Sequence, residues 1–334
     1  MVVLMSMVLL LSFGLTALSG LWLIPYLRKL KYGQTILDIG PSWHKNKQGT
    51  PTMGGIMFIF GITLSTLSGL FLYITRYGGV GGGESVLNAR IIAGLVSALG
   101  FALIGFGDDY VKVTKKQNMG FSAKQKLILQ VAVAALYMWW IYTAGDVGTN
   151  IFIPFFGSFD LGLFYFPLCI LGIVYIVNSV NLTDGLDGLA VSVTAVVAII
   201  FFGISIALGV TQNLVLCVAV EGGCLAFLIY NAYPAKVFMG DTGSMFLGGL
   251  VIAMAFGVRL PIFLGLAGII YIVESMSVIL QVISFKTTGK RIFKMSPIHH
   301  HFEMCGFTER QIVAMFVTIT AIGGILSILA VKML

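Results

Sequence analysis

The chain has 334 residues, 20 Lys and Arg against 13 Asp and Glu, and a formal net charge of +7; only 10 % of it is charged and 58 % is hydrophobic. A soluble protein of this length carries roughly 25 % charged residues to cover its surface, so a soluble enzyme, a disordered chain and a disulfide scaffold are excluded. A polytopic membrane protein remains, and its four cysteines (Cys169, Cys217, Cys224 and Cys305) show neither disulfide nor zinc spacing.

A bilayer core takes about 20 mainly apolar residues per helix. Ten such segments are predicted, forming one all-α membrane domain over residues 1–334 with none of the alternation of a membrane barrel. The first, Val2–Ile24, has no basic n-region and no small-residue cleavage site, and its positive charges follow at Arg28, Lys29 and Lys31. It reads as a retained helix with an outside N-terminus. Lys45, Lys47 and the run Gly49-Thr-Pro-Thr-Met-Gly-Gly55 lead into the second helix, Met53–Ile74. Pro51 and a threonine suit a plain helix start there, with Lys47 adding charge. Gly78–Gly83 reads as a flexible outer connector.

The third helix, Arg90–Gly107, ends inward at Asp108-Asp109. Adjacent carboxylates at a helix C-terminus oppose the macrodipole and each other. They are either solvated acids balanced by Lys112, Lys115 and Lys116 or, as the local cost favours, a cation site or general base beside a basic phosphate-binding loop. That loop also holds Lys124 and Lys126 before the fourth helix, Leu127–Ala144. Asn150–Asp160, with Pro154 and a Gly157-Ser158 turn, predicts a small outer β-hairpin. The fifth helix, Leu161–Val177, runs into Asn178-Ser-Val-Asn-Leu-Thr-Asp-Gly-Leu-Asp-Gly188. Asn178, Asn181, Asp184 and Asp187 recur every three residues, which keeps neighbours near one helical face. With no basic residue to balance it, this stretch favours a divalent cation or a hydrogen-bonded ligand over a plain polar hairpin.

Leu189–Leu208 and Asn213–Tyr230 are the sixth and seventh helices. Met239-Gly-Asp-Thr-Gly-Ser244 opens the eighth, Ser244–Val258, where Asp241 suits a helix cap or a Mg²⁺ ligand beside phosphate-binding amides. The ninth is Ile262–Ile283, and the loop beyond it carries Pro297 and His299-His300-His301. Three adjacent histidines cannot share one helical face, so helical metal spacing is absent. Their imidazoles fit phosphate or sugar recognition or a proton shuttle, and fit a solvated loop equally well. Thr308–Gln311 is a capping box before the tenth helix, Ile312–Val331.

Sorting the basic residues by loop puts sixteen inside and leaves Arg76, Arg90, Arg259 and Lys332 outside. By the positive-inside rule both termini are then extracytoplasmic. The four histidines and eight of the 13 acids share the inner side with the lysines. Aspartates, lysines and helix N-termini gathered at one membrane face are what a Mg²⁺-dependent reaction on a diphosphate needs.

These motifs, in this order, resemble the bacterial phospho-N-acetylmuramoyl-pentapeptide transferases, within the superfamily of polyprenyl-phosphate N-acetylhexosamine-1-phosphate transferases. The resemblance extends from Gly49–Gly55 through Asp108-Asp109, Asn181–Gly188 and Val237–Asp241 to Pro297–His301. It implies transfer of phospho-MurNAc-pentapeptide from UDP-MurNAc-pentapeptide to undecaprenyl phosphate, giving lipid I and UMP at the cytoplasmic face of the bacterial inner membrane. It also implies Asp241 as the Mg²⁺ ligand, Asp108 and Asp109 at the lipid phosphate, and Lys112 and Lys124 as their cationic partners. Lys47, Thr52, Asn181, Asp184, Asp187, Asn231, Phe238, Gln281, His299, His300 and His301 line the nucleotide-sugar side, with His299 grouped with Asp108, Asp109 and Asp241 as catalytic. Partners are then the two substrates, the lipid bilayer and, as a candidate, a second copy of the chain, with no nucleic acid. Two alternatives are a related transferase using another UDP-sugar, and an ion-coupled transporter built on Glu221 and Glu274 within the membrane segments. Those two glutamates could instead bridge helices or subunits. The polar residues gather at one face rather than at the midplane, which favours the enzyme.

Overall fold

A computed structural model describes residues 1–29, 47, 49–77, 82–114, 120–145, 147–154 and 156–332. Its helices are α1 (Val2–Lys29), α2 (Ile56–Tyr77), α3 (Gly82–Thr114), α4 (Ala123–Thr143), α5 (Tyr165–Thr183), α6 (Leu189–Leu208), α7 (Thr211–Asn231), α8 (Gly240–Gly257), α9 (Leu264–Ala267), α10 (Ile269–Thr288), α11 (Ile298–Met304) and α12 (Glu309–Val331). Ten of them are long and apolar enough to cross a bilayer. Apolar side chains such as Trp22, Phe71, Leu103, Trp139 and Leu171 stand 66–70 % exposed, as a lipid-facing perimeter requires. The chain is a multi-pass all-α membrane protein. Lys31, Asp38, His44, Lys45, Lys115, Lys116 and Asp146 lie outside the described residues. So does most of the expected glycine connector, whose Gly82 and Gly83 already belong to α3.

The expected hairpin is present as strands β1 (Asn150–Ile153) and β2 (Gly157–Asp160), antiparallel with Asn150 opposite Asp160 and Ile153 opposite Gly157. Its turn differs from the expectation. Gly157 and Ser158 lie within β2, so the reversal falls between Ile153 and Gly157 instead.

Helix α8 is the centre of the bundle, buried at every residue from Thr242 to Gly257. Without a hydrophobic force between helices in lipid, small residues that let backbones meet decide such packing. Helix α3 uses them against α8. A Cβ on Gly105 would collide with the carbonyl of Asp241, and one on Gly249 would come within 2.6 Å of the Ala98 Cα. This close approach brings the inner end of α3 beside the first turn of α8.

The ninth crossing is broken rather than continuous. The short α9 ends at Gly268, and α10 restarts at Ile269. Hydrogen bonds show how deep that restart lies. Tyr271 Oη is 2.7 Å from Thr194 Oγ1, in the second turn of α6 from its inner end, and Ser275 Oγ is 2.5 Å from Tyr175 Oη in the middle of α5. From Ser275 to Thr288 the helix advances about 20 Å at 1.5 Å per residue. The inner half of α10 therefore overshoots the ends of α5 and α6. Glu274, placed in a membrane segment by the sequence, comes within reach of the loops at that face.

Candidate active site

Asp108 and Asp109 do not end their helix. Helix α3 continues to Thr114, so the two acids lie within it and Lys112 follows one turn later. The helix-end penalty expected from the sequence is replaced by a favourable arrangement. Asp109 Oδ2 accepts from the Thr242 backbone N–H (2.9 Å) and from Thr242 Oγ1 (2.7 Å), and its Oδ1 accepts from the Asp241 N–H (3.3 Å). Asp109 thus caps the N-terminus of α8 from a neighbouring helix, where a carboxylate is stabilised by free N–H groups and the macrodipole. Asp241, which the sequence offered as that cap, lies in the first turn of α8 and leaves its carboxylate to other partners.

Those partners are cations and an amide. Asp241 Oδ2 accepts from Lys126 Nζ at 2.7 Å and Lys112 Nζ at 2.9 Å, while Oδ1 accepts from Asn181 Nδ2 at 2.9 Å. Asn181 Nδ2 also reaches Ser244 Oγ at 2.8 Å. Asp108 accepts from the Phe121 N–H (2.8 Å) through Oδ1, and its Oδ2 lies 2.7 Å from Lys112 Nζ and 3.4 Å from Lys126 Nζ. Lys112 thus lies against Asp108 and Asp241, whereas Lys124 is exposed and the second lysine at the cluster is Lys126. The signal for this is the Ser122–Gln125 capping box, which starts α4 at Ala123. Residues 124 and 126 then point to opposite sides of the helix, although the sequence does not say which side faces α8.

Asp108, Asp109 and Asp241 each offer an oxygen, all within 4.8 Å of one another. Two ammonium groups against three carboxylates leave the cluster acidic, and its donors are all oxygen. That donor set fits a hard divalent cation such as Mg²⁺, which binds through one or two carboxylates and keeps several waters.

The second acidic group frames this cluster. Lys47 Nζ lies 2.7 Å from both Asp187 Oδ1 and Glu309 Oε2. Burial works against its ammonium, but the hydrogen bonds and charges of Asp187 and Glu309 outweigh it and hold Lys47 above the usual lysine range. Asp187 Oδ2 also accepts from the Ala235 N–H (2.9 Å), and Glu309 Oε2 from the Asp187 N–H (3.1 Å). Asn231 ties the same turn down, taking the Gly188 N–H at 3.1 Å and giving its Nδ2 to the Val237 carbonyl at 3.0 Å. Asp184 ends α5 without a hydrogen-bonded partner for its carboxylate among the described residues. Burial, then the charges of Asp241, Asp109 and Asp187, push that carboxyl up to about 8. Asn178 is drawn away from its three-residue series to pair with Gln130 on α4 at 2.8 Å.

Gly49–Gly55 is not a helix start. It runs before α2, which begins only at Ile56, and pairs its backbone with the segment before α8. The Phe238 N–H donates to the Pro51 carbonyl (2.8 Å), and the Gly54 and Gly55 N–H groups donate to the carbonyls of Phe238 (2.8 Å) and Met239 (3.1 Å). Thr52 is placed at Gly240 by this pairing, and Phe238 stays half-buried.

The three histidines sit on the seven-residue α11 and go three ways. His299 Nδ1 meets Glu274 Oε1 at 2.9 Å, His300 Nδ1 meets Glu303 Oε2 at 2.7 Å, and His301 Nδ1 accepts from the Lys294 N–H at 3.1 Å. Gln281 pins the preceding loop, accepting from the Ile292 and Phe293 N–H groups at 3.0 Å and donating to the Phe293 carbonyl at 2.9 Å. Besides Lys126, sequence reasoning left Thr242 and Glu309 unassigned, and it weighed Glu274 only as a transporter acid or a bridge between helices or subunits. Nothing in the local pattern marks them, because each is identified only by a partner far along the chain.

Comparison with known proteins reaches the same residues. Residues 91–259 match the glycosyl transferase family 4 model, and residues 47–59 match phospho-N-acetylmuramoyl-pentapeptide-transferase signature 1. The first span contains Asp108, Asp109, Asn181, Asp184, Asp187, Asn231, Phe238 and Asp241; the second contains Lys47 and Thr52. The chain is 46 % identical over 317 residues to a phospho-N-acetylmuramoyl-pentapeptide-transferase of Clostridium perfringens, covering 95 % of this chain and 93 % of that one. It is 47 % identical over 314 residues to the protein of that name from Caldanaerobacter subterraneus, covering 94 % of each. A third, from Bacillus pumilus, is 48 % identical over 300 residues and 88 % of each chain.

Proposed function

The chain belongs to the family of phospho-N-acetylmuramoyl-pentapeptide transferases, and from that premise we propose that it moves phospho-MurNAc-pentapeptide from its UDP carrier to undecaprenyl phosphate at the cytoplasmic face of the bacterial inner membrane. It is a phosphoglycosyl transferase of peptidoglycan synthesis; the two substrates, the Mg²⁺ and the facing of the site are the proposal. The observation that carries it is the set of three carboxylates within 4.8 Å, flanked by two lysines, near the ends of the membrane-spanning helices α3 and α8. One substrate arrives from the bilayer and the other from the cytoplasm, so a site where helices end suits both.

In this reading Asp241 holds Mg²⁺, with Asp108 and Asp109 beside it. When bound there, Mg²⁺ supplies charge neutralisation for the diphosphate. Asn181 orients the Asp241 carboxylate, and Lys112 and Lys126 balance the phosphates as they enter. An oxygen of the lipid phosphate attacks the sugar-bearing phosphorus, the bond to the bridging oxygen breaks, and UMP leaves with that oxygen. Direct attack is supported by the state of the aspartates. Both oxygens of Asp109 are occupied by the α8 terminus and Thr242, and Asp108 is held by Phe121 and Lys112. Those contacts give both aspartates a holding role, which direct attack leaves in place. In the same reading Asp184, Asp187, Asn231, Phe238, Thr52, Lys47, Gln281 and the three histidines belong to the nucleotide-sugar side.

Purified protein given UDP-MurNAc-pentapeptide, undecaprenyl phosphate and Mg²⁺ is expected to release UMP and form lipid I. No UMP beside an active control enzyme would refute the reading, and turnover of UDP-GlcNAc instead would name the related transferase. Asp241→Asn is expected to abolish turnover; full activity in that variant would remove the metal assignment.

A further inference from the structure

We propose that Glu274 is a positioning residue, which fixes the imidazole of His299 beneath the turn at Asp184–Gly188 and so leaves Nε2 as the acceptor for a hydroxyl or N–H of the nucleotide sugar. The proposal rests on the transferase reading above and assigns a role to a glutamate that the reading leaves idle.

The break at Gly268 starts the chain of causes. It sets α10 deep enough between α5 and α6 that Glu274, fully buried, faces α11 across the loop that joins them. His299 is 1 % exposed and puts Nδ1 2.9 Å from Glu274 Oε1. An ionised carboxylate is acceptor-only, so the nitrogen facing it carries the proton, and Nε2 is left for a different partner. Nε2 is buried without one, as is Glu274 Oε2. A buried polar atom left unpaired costs about 1–3 kcal/mol, and native structures keep few of them. The Nε2 atom lies directly under Gly185, where any Cβ would collide with the ring. The carboxylates of Asp184 and Asp187 flank that glycine. Gly185, having no Cβ, thus lets the His299 ring come up against the acidic turn from below.

The other histidines do not share this arrangement. His300, whose ring centroid is 4.2 Å from that of His299, is held by Glu303, and His301 by the Lys294 backbone. A pair that served only to join α10 to α11 would need a hydrogen bond but no particular tautomer. Glutamine separates the two roles. Its side chain offers both a carbonyl and an amino group to Nδ1, so Glu274→Gln keeps a bond between the helices while allowing either tautomer.

The test uses the full-length protein in detergent, with and without the substitution. In Glu274→Gln, kcat is expected to fall about 10- to 100-fold, the range for losing a group that orients a functional histidine. KM for UDP-MurNAc-pentapeptide is expected to stay within about twofold, as when an interaction of the transition state alone is lost. Nitrogen-15 spectra of labelled histidine should show His299 protonated at Nδ1 in the wild type and distributed between tautomers in the variant. Wild-type kcat in Glu274→Gln, or an unchanged tautomer pattern, overturns the proposal. Should the variant fail to fold, the wild-type spectrum decides alone: a His299 without a proton on Nδ1 overturns it, and one that has it and moves its Nε2 signal on adding the nucleotide sugar supports it. A wild-type protein that releases no UMP defeats the transferase reading instead, and the spectra still decide the role of Glu274.

Discussion

Asp109 is tolerated because of a helix other than its own. Its carboxylate sits where α8 leaves N–H groups without intrahelical partners, and it takes two of them together with a hydroxyl. Losing an N-cap costs about 1 kcal/mol, and a charge at a partly buried helix terminus can add up to about 2 kcal/mol. Asp109→Ala should therefore lower the thermal unfolding midpoint in detergent, and Asp109→Asn should lower it less because the amide oxygen still accepts. Equal midpoints for all three proteins would show that α8 does not depend on this cap. Asp184 illustrates the opposite case, a carboxylate with no hydrogen-bonded partner among the described residues. Its folded carboxyl holds its proton to about pH 8, whereas in an unfolded chain it is lost near pH 4. Between those values the native protein binds a proton that the unfolded chain lacks, so this group's contribution is complete below about pH 4 and is lost as pH rises toward about 8. Partial exposure screens the effect and limits its size. Asp184→Asn should then gain stability over wild type as pH rises from about 5 to about 9, measured as the difference between unfolding midpoints. A difference that does not change with pH would mean that Asp184 ionises normally.

Helices α3 and α8 carry the catalytic candidates, and their contact decides the site. Gly105 meets the Asp241 carbonyl so closely that a single methyl group must push the helices apart. Overpacking of this kind costs about 1–3 kcal/mol, and the displacement falls on Asp108 and Asp109 relative to Asp241. Gly105→Ala is expected to elute as a folded, monodisperse protein with UMP release reduced at least about tenfold, a loss of about 1.4 kcal/mol in the transition state. Gly14→Ala, where the new methyl group meets nothing within 4 Å, serves as the matched control. Normal turnover in Gly105→Ala would mean that the contact does not set the geometry. Such contacts mark the limit of what the sequence discloses. Ten apolar stretches, the hairpin at Asn150–Asp160 and the capping box at Thr308 are local patterns, and all were legible. The extension of α3 past Asp109, the choice of Lys126 over Lys124 and the break at Gly268 were not. Each depends on a partner more than a hundred residues away or on the depth of one helix among its neighbours, and residue type alone does not encode either. The site residues were identifiable as a set because charges are rare in this chain, while their individual partners had to await the fold.

At the scale of the whole molecule, the +7 charge is resolved into two unequal faces. Lys47, Lys112 and Lys126 each bind carboxylates at the face where α3, α5 and α10 end and α6, α8 and α12 begin. Basic residues near helix ends are retained on the cytoplasmic side during insertion, so the lysines that balance the aspartates are also those expected to orient the protein, which ties the proposed topology to the site. If the sixteen basic residues assigned inside are cytoplasmic, Cys305 must be cytoplasmic too, because it follows α11 on the same face as His299. Cys305 is the exposed cysteine, whereas Cys169, Cys217 and Cys224 are buried. Burial among apolar side chains keeps a thiol unreactive, so a maleimide reads Cys305 almost alone. A membrane-impermeant maleimide should therefore label the protein in inside-out vesicles and leave it unlabelled in intact cells, with Cys305→Ser abolishing the vesicle signal. Labelling from the outside of intact cells would invert the topology and place the aspartate cluster on the face that UDP-sugars do not reach. The transferase reading would then fail along with the orientation, because the lysines that set one also hold the other.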